Sequence, residues 1–183
     1  MKKVYFLFFL FLSAFTYAQN NGPKEITPQL LQKIKTDVEK QIPTLRLKLS
    51  KDDYNSKDRI EFMIDTFRIE KITEKRMEMD YSTAGMNNAV GDLTTEYDKL
   101  LNKYYSQLVK IIKPEDKNTL IKAQRVWISY RDSEQDLINT FTDEKYTGGG
   151  TMYSNIRVGH YHNLVKERTI TLFNYFDEIK NGI

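Results

Sequence analysis

Two histidines, His160 and His162, a scatter of carboxylates and no cysteine are the chemical inventory of this 183-residue chain. Two residues apart on a helix, the imidazoles point in different directions, whereas a helical metal pair needs spacings of three or four. No metal site is therefore expected. A thiol nucleophile is impossible, and there is no Gly-x-Ser-x-Gly elbow to expose a serine. General acid–base work needs two carboxylates converging in a cleft, and Asp132 and Glu134, two apart, fall on different helix faces. The run Gly148-Gly149-Gly150 would cradle a phosphate only with a strand before it and a lysine after it. It reads instead as a turn, with Thr151 as N-cap of the next helix. The sequence thus assigns no catalytic residue, no metal and no cofactor, and the expectation is a protein that is not an enzyme.

Polar groups that interrupt apolar stripes are more informative, because burying them without partners costs a few kcal/mol. Glu134, His160 and Arg168 stand out in this way. Arg131 lies about one turn before Glu134, so the two can pair along the helix, and Arg168 can join them if the last helix packs alongside. Arg131, Glu134 and Arg168 then form either a ligand-contacting cluster or an internal clamp, and the clamp is the preferred reading. Tyr97, Tyr104, Tyr105, Trp127 and Tyr130 form an aromatic set that reads mainly as core, with Tyr105 turned to water. Such residues also anchor protein interfaces. The segment 143–151, with Lys145, Tyr146, Gly148, Gly149 and Gly150, is the exposed candidate for binding.

The elements that must position these groups are helices. Thr27-Pro28 reads as N-cap and first helical residue, Leu30, Leu31, Ile34, Val38 and Ile42 supply an apolar face, and Pro43 is expected to end it. Ser56 opens a second helical run with Ile60, Met63, Ile64 and Phe67, although alternation there also fits a strand. After a break at residues 82–85, apolar residues from Met86 to Ile112 recur every three or four positions, the mark of a long amphipathic helix. Pro114 starts another, with Leu120, Ala123, Trp127, Tyr130, Glu134, Leu137, Ile138 and Phe141 on one face. An antiparallel hairpin of these two is the economical arrangement. The last helix runs to about Lys180, with Tyr153, Ile156, His160, Leu164, Arg168, Leu172, Phe176 and Ile179 along one side. The fold class expected is all-α, an antiparallel helical bundle built on a long helical hairpin.

The first residues bear on compartment. Lys2 and Lys3 precede an apolar run from Val4 to Phe15, and Thr16-Tyr17-Ala18 offers small residues at the −3 and −1 positions. That order is a secretory signal peptide, residues 1–18. An apolar run of about a dozen residues is short of the roughly 20 that span a bilayer, so no stable membrane span is expected after cleavage. With Lys2 and Lys3 set aside, 26 basic face 25 acidic residues, a balance without bias toward nucleic acid. A periplasmic or secreted protein is expected, with residues 19–79 as leader and first helices and 80–183 as the main helical part of the same globular unit.

Several motifs resemble a known family. Met86-Asn87-Asn88-Ala89, the run from Tyr97 to Tyr105, Ala123-Gln124-Arg125-Val126-Trp127-Ile128-Ser129-Tyr130-Arg131-Asp132 and the Gly-Gly-Thr turn are similar to the LprI-type lysozyme-inhibitor domain, over about residues 80–176. The residues that carry the pattern are Asn87, Tyr97, Asp98, Asn102, Tyr104, Gln124, Trp127, Arg131 and Asp132. The resemblance implies a helical envelope protein, in some members an inhibitor of lysozyme, hence a protein partner. It also implies cysteines near Ala89, Gln135 and His160, all absent here, so the helices must pack without them. Two functions stay open: inhibition of a lysozyme-type muramidase, and an envelope interaction module for another protein or glycan without inhibitory activity.

Overall fold

A computed structural model describes residues 22–182; the leader read as a signal peptide lies outside them. Seven α-helices and one 3₁₀ turn make up the described chain, without a strand: α1 Pro28–Glu39, α2 Ile42–Leu49, α3 Lys57–Met79, α4 Thr83–Ile111, the 3₁₀ turn Pro114–Asp116, α5 Lys117–Phe141, α6 Glu144–Thr147 and α7 Met152–Asn181. The all-α class is as expected.

Local chemistry sets the boundaries. Thr27 accepts a hydrogen bond from the Leu30 N–H, Ser56 from Arg59 and Ser82 from Gly85, each hydroxyl satisfying an orphan donor of a first turn. Pro43 does not end the first helical region. It sits in the first turn of α2, where its missing N–H costs nothing. The alternation in α3 is helical throughout: Phe62 and Ile64 are buried and Met63 faces water. Thr151 occupies the N-cap position of α7 but makes no side-chain cap bond.

The largest helix interface joins α4 to α7, and α5 packs chiefly on α7 rather than on α4. Contacts fix the directions. Asn87 meets Ser154, Thr94 meets His162, and Tyr104 meets Phe173 and Phe176, so α4 and α7 run parallel. Glu70 meets Tyr97 and Arg76 meets Asp92, so α3 runs antiparallel to α4. The hairpin of α4 and α5 is therefore splayed, with α7 lying along both. The core is aromatic at its centre: Phe62 stacks on Phe173 at 3.9 Å and meets the Tyr104 ring edge-on at 5.4 Å.

Splaying corrects two expected stripes. On α5 only Leu120 and Gln124 are buried, while Tyr130, Leu137 and Phe141 are exposed. Periodicity marks an apolar face but says nothing of whether a partner covers it. On α7 the expected Leu164, Leu172 and Phe176 are buried together with His162, Val165, Thr169, Phe173 and Asp177, whereas Ile156 and Ile179 face out. A thirty-residue helix contacted by three others buries no single straight stripe.

Asp177 is fully buried. Its carboxylate accepts hydrogen bonds from the Ser56 hydroxyl at 2.8 Å, Arg59 Nε at 2.9 Å and Asn181 Nδ2 at 2.7 Å. Burial alone would raise its pKa, and the hydrogen bonds from Ser56, Arg59 and Asn181 bring it below the ordinary carboxylate value. This cluster ties the start of α3 to the end of α7.

His162 is also buried. The Thr94 hydroxyl donates to the Val90 carbonyl at 2.7 Å, which leaves its oxygen to accept from Nδ1–H of His162 at 3.3 Å. Burial first, then the nearby Lys166 ammonium, pull the imidazole pKa below its usual 6.5, against Glu70, which raises it. A depressed histidine pKa means the unfolded chain takes up the proton first as pH falls. Stability supported by neutral His162 is thus complete above about pH 6.5 and is lost as pH drops toward the folded value. Urea unfolding at pH 7.5 and pH 5.5 should show the loss, and His162→Gln should flatten it; an equal slope in both proteins would refute the assignment.

Candidate binding site

The expected polar network assembles differently from the sequence reading. Arg131 does not turn to Glu134. Its guanidinium donates to the neighbouring Asp132 at 2.8 and 2.6 Å and approaches the faces of Trp127 and Tyr161 at 5.3 and 5.6 Å. Arg168 donates through Nε to buried Gln124 at 3.0 Å and approaches Trp127 at 5.8 Å. Two guanidinium groups thus share one indole, a cation–π arrangement that needs little charge pairing. Glu134 lies across from His160, at 3.9 Å from Nε2. The cluster is a seam between α5 and α7, in which Arg131 and Arg168 take partners other than Glu134.

The remaining motif residues have structural partners. Asn87 donates to the Ser154 hydroxyl at 2.9 Å. Tyr97 donates to Glu70, which also accepts from Lys166 at 2.6 Å. Burial opposes the charge on Glu70, but those two donors hold its pKa below the ordinary value. Asn102 donates to the Asp98 carboxylate at 3.0 Å, and Tyr104 sits in the core with its phenol pushed upward by burial. Tyr105 packs against the core and Tyr130 faces water, the reverse of the expected order.

The seam is less well satisfied where the resemblance places cysteines. Gln135 Oε1 and His160 Nε2 are both buried without a hydrogen-bond partner. An unmade bond of this kind costs about 1–3 kcal/mol, so this end of the α5–α7 contact is held less tightly than the Gln124–Arg168 end.

Beyond it the chain forms the expected exposed loop. Asp143 caps α6 by accepting from Lys145 N–H at 3.0 Å. Gly148, Gly149 and Gly150 all have positive φ, 74°, 87° and 125°, a run that side-chain-bearing residues would strain. Gly149 and Gly150 line a cleft of about 450 Å³ with Asn139, Tyr153 and Arg157. Arg157 holds the loop by donating to the Thr142 hydroxyl at 3.1 Å. Lys145 and Tyr146 do not line that cleft. The Lys145 ammonium lies 5.2 Å from the Tyr146 ring, and Tyr146 meets Phe141 at 6.4 Å between ring centroids. Phe141 and Tyr146 are 58% and 64% exposed. Spacings of seven and four put Tyr130, Leu137 and Phe141 on one face of α5, so an apolar strip runs down the helix to the loop. Sequence reasoning found the loop and missed the strip, because it assigned those residues to the core.

Among the described residues no group of three or more His, Asp or Glu is placed to hold a metal ion, and no helix is long and apolar enough to cross a membrane. No curated protein and no solved structure matches this chain. A family model described as Lysozyme inhibitor LprI matches residues 74–172, from the last turns of α3 to Leu172 in α7. Because that match spans more than half of the chain and takes in the α4, α5 and α7 framework, the chain belongs to the LprI lysozyme-inhibitor family.

Proposed function

We propose that this protein is an exported binding protein that inhibits lysozyme-type muramidases through the end of the molecule formed by α5, α6 and the start of α7. The observation that carries the proposal is the exposed Phe141–Tyr146–Lys145 cluster beside a glycine loop whose backbone is set by three positive φ angles. Aromatic anchors rimmed by a polar, hydrogen-bonding loop are what a protein interface concentrates. A muramidase cleft is lined by catalytic carboxylates, and a tip bearing an exposed lysine complements it. The Arg131–Trp127–Arg168 seam serves to hold α5, and with it the tip, against α7. Residues 22–79 belong to the same unit, since Phe62 of α3 contributes to the central aromatic stack.

The test is lysis of peptidoglycan by animal-type and bacterial muramidases with increasing amounts of the purified protein. Inhibition that saturates near one protein per enzyme is the expected result. An unchanged rate at large molar excess removes inhibition and leaves the second reading, an envelope interaction module for another protein or glycan. The same exposed strip on α5 favours that second reading, because it suits any protein partner.

A further inference from the structure

α5 is a long helix that the fold leaves largely uncovered. Only Leu120 and Gln124 are buried along its length, and on the opposite side every residue is exposed. Val126, Tyr130, Leu137 and Phe141 are large, apolar and exposed there. With Ser133 between them, steps of three and four carry these residues along one ridge, the spacing of a two-helix seam. From Val126 to Phe141 the ridge is about 22 Å long.

Two features select what can lie on it. The first is spacing. The steps between the four apolar residues are four, seven and four, the same read from either end. A second copy of α5 laid antiparallel, with the two-fold axis between Ser133 and Glu134, sets Val126 against Phe141 of that copy and Tyr130 against its Leu137. Each layer then joins one ring to one aliphatic side chain, and the small Ser133 sits where the helices cross. Such self-complementarity is what a two-fold interface requires.

The second feature is charge. Lys117, Lys122 and Arg125 lie in the first half of α5 with no acidic residue among them, and none has an ion-pair partner among the described residues. In the second half Arg131 is paired with Asp132, and Glu134 faces His160 of α7. Asp136 is left without an ion pair, as are Asp143 and Glu144 just beyond the helix, with Lys145 the one cation beside them. Antiparallel pairing brings the basic half of each copy to the acidic end of the other, at both ends of the ridge. Parallel pairing would set like charge on like.

We propose that two copies of this chain associate through α5 as an antiparallel, two-fold dimer. A single helix pair is small beside a permanent interface, so the dimer is reversible, and in dilute solution the monomer keeps the α5 strip and the glycine loop free for another partner. The proposal holds whether or not the protein inhibits a muramidase.

Sedimentation velocity of the purified protein, with no muramidase present, tests it. The protein should pass from monomer toward dimer as its concentration rises from about 10 μM to about 1 mM. Leu137→Glu, at an exposed position, should weaken the dimer by about tenfold or more, while the dilute variant keeps the helicity and unfolding midpoint of the parent. Lys122→Glu with Arg125→Glu in one variant, and Asp136→Lys with Glu144→Lys in another, should each weaken self-association at low salt by about fivefold. An equal mixture of those two variants should dimerise as the parent does. The chain has no cysteine, so single replacements report neighbours directly: Val126→Cys mixed with Phe141→Cys should oxidise to the mixed disulfide in preference to either like pair. A protein monomeric up to about 1 mM, association indifferent to Leu137→Glu, no recovery in the mixture of charge variants, or disulfides between like pairs would each overturn the proposal.

Discussion

Asp177→Ala is expected to lower the unfolding free energy by about 3 kcal/mol, the lower end of what removing one partner from a buried ion pair costs. Asp177 is wholly inaccessible while the Arg59 side chain is 35% exposed, so the stranded guanidinium can recover some hydration. The Ser56 hydroxyl and the Asn181 amide lose their acceptor as well. For a domain of this size the loss amounts to a midpoint lower by roughly 6–12 °C, readable by calorimetry or circular dichroism. The pH dependence supplies a second signature. Because the folded pKa of Asp177 lies below its unfolded value, its contribution is complete above about pH 4 and fades as pH falls through the folded pKa. The variant should lack that acid-limb component. A midpoint within a degree of the parent, or an unchanged acid limb, would show that the cluster does not tie α3 to α7.

Replacing Phe141 and Tyr146 together by serine is expected to weaken the complex with an inhibited muramidase by about 30-fold or more, the effect of losing a 2 kcal/mol hot spot. Both rings are more exposed than buried, so the same variant should unfold at the parent midpoint. Arg168→Met is the contrasting change. It removes the hydrogen bond to Gln124 and one cation over Trp127, which should reduce stability and leave affinity nearly intact. Dissociation constants from titration of the lysis rate separate the two. If the seam variant lost affinity and the loop variant kept it, the binding site would lie on the α5–α7 seam.

The helices themselves were legible because their signals are local. Thr27 and Ser56 announce starts, residues 82–85 a break at which Ser82 proves to be the N-cap of α4, Pro114 another start, and the three-and-four spacing from Ala89 to Leu108 a buried face. Legibility ended where a partner had to be chosen. Trp127, Tyr130 and Phe141 look alike in a helical projection, yet one packs on the core and two face water, because α5 lies on α7 and clear of most of α4. Arg131 illustrates the same limit at the level of side chains: spacing offered Glu134, and the geometry gave Asp132 and two aromatic rings. Asp177 stood too far along the chain from Ser56 and Arg59 for any spacing rule to join it to them. The glycine turn was visible because three consecutive glycines with positive φ have a local cause.

The parallel pairing of α4 with α7 also dictates an order of events in folding. Its contacts join residues 67 to 72 positions apart, whereas α3 and α4 meet across a three-residue turn. Closing the longer loop costs more entropy and is slower. The α3–α4 hairpin is therefore expected to form before α7 is captured, a sequence that φ-values at Phe62 and Phe173 would check. Until Phe173 reaches that stack, the nascent molecule carries an apolar aromatic furrow along its middle, the feature by which an unfinished chain is open to aggregation.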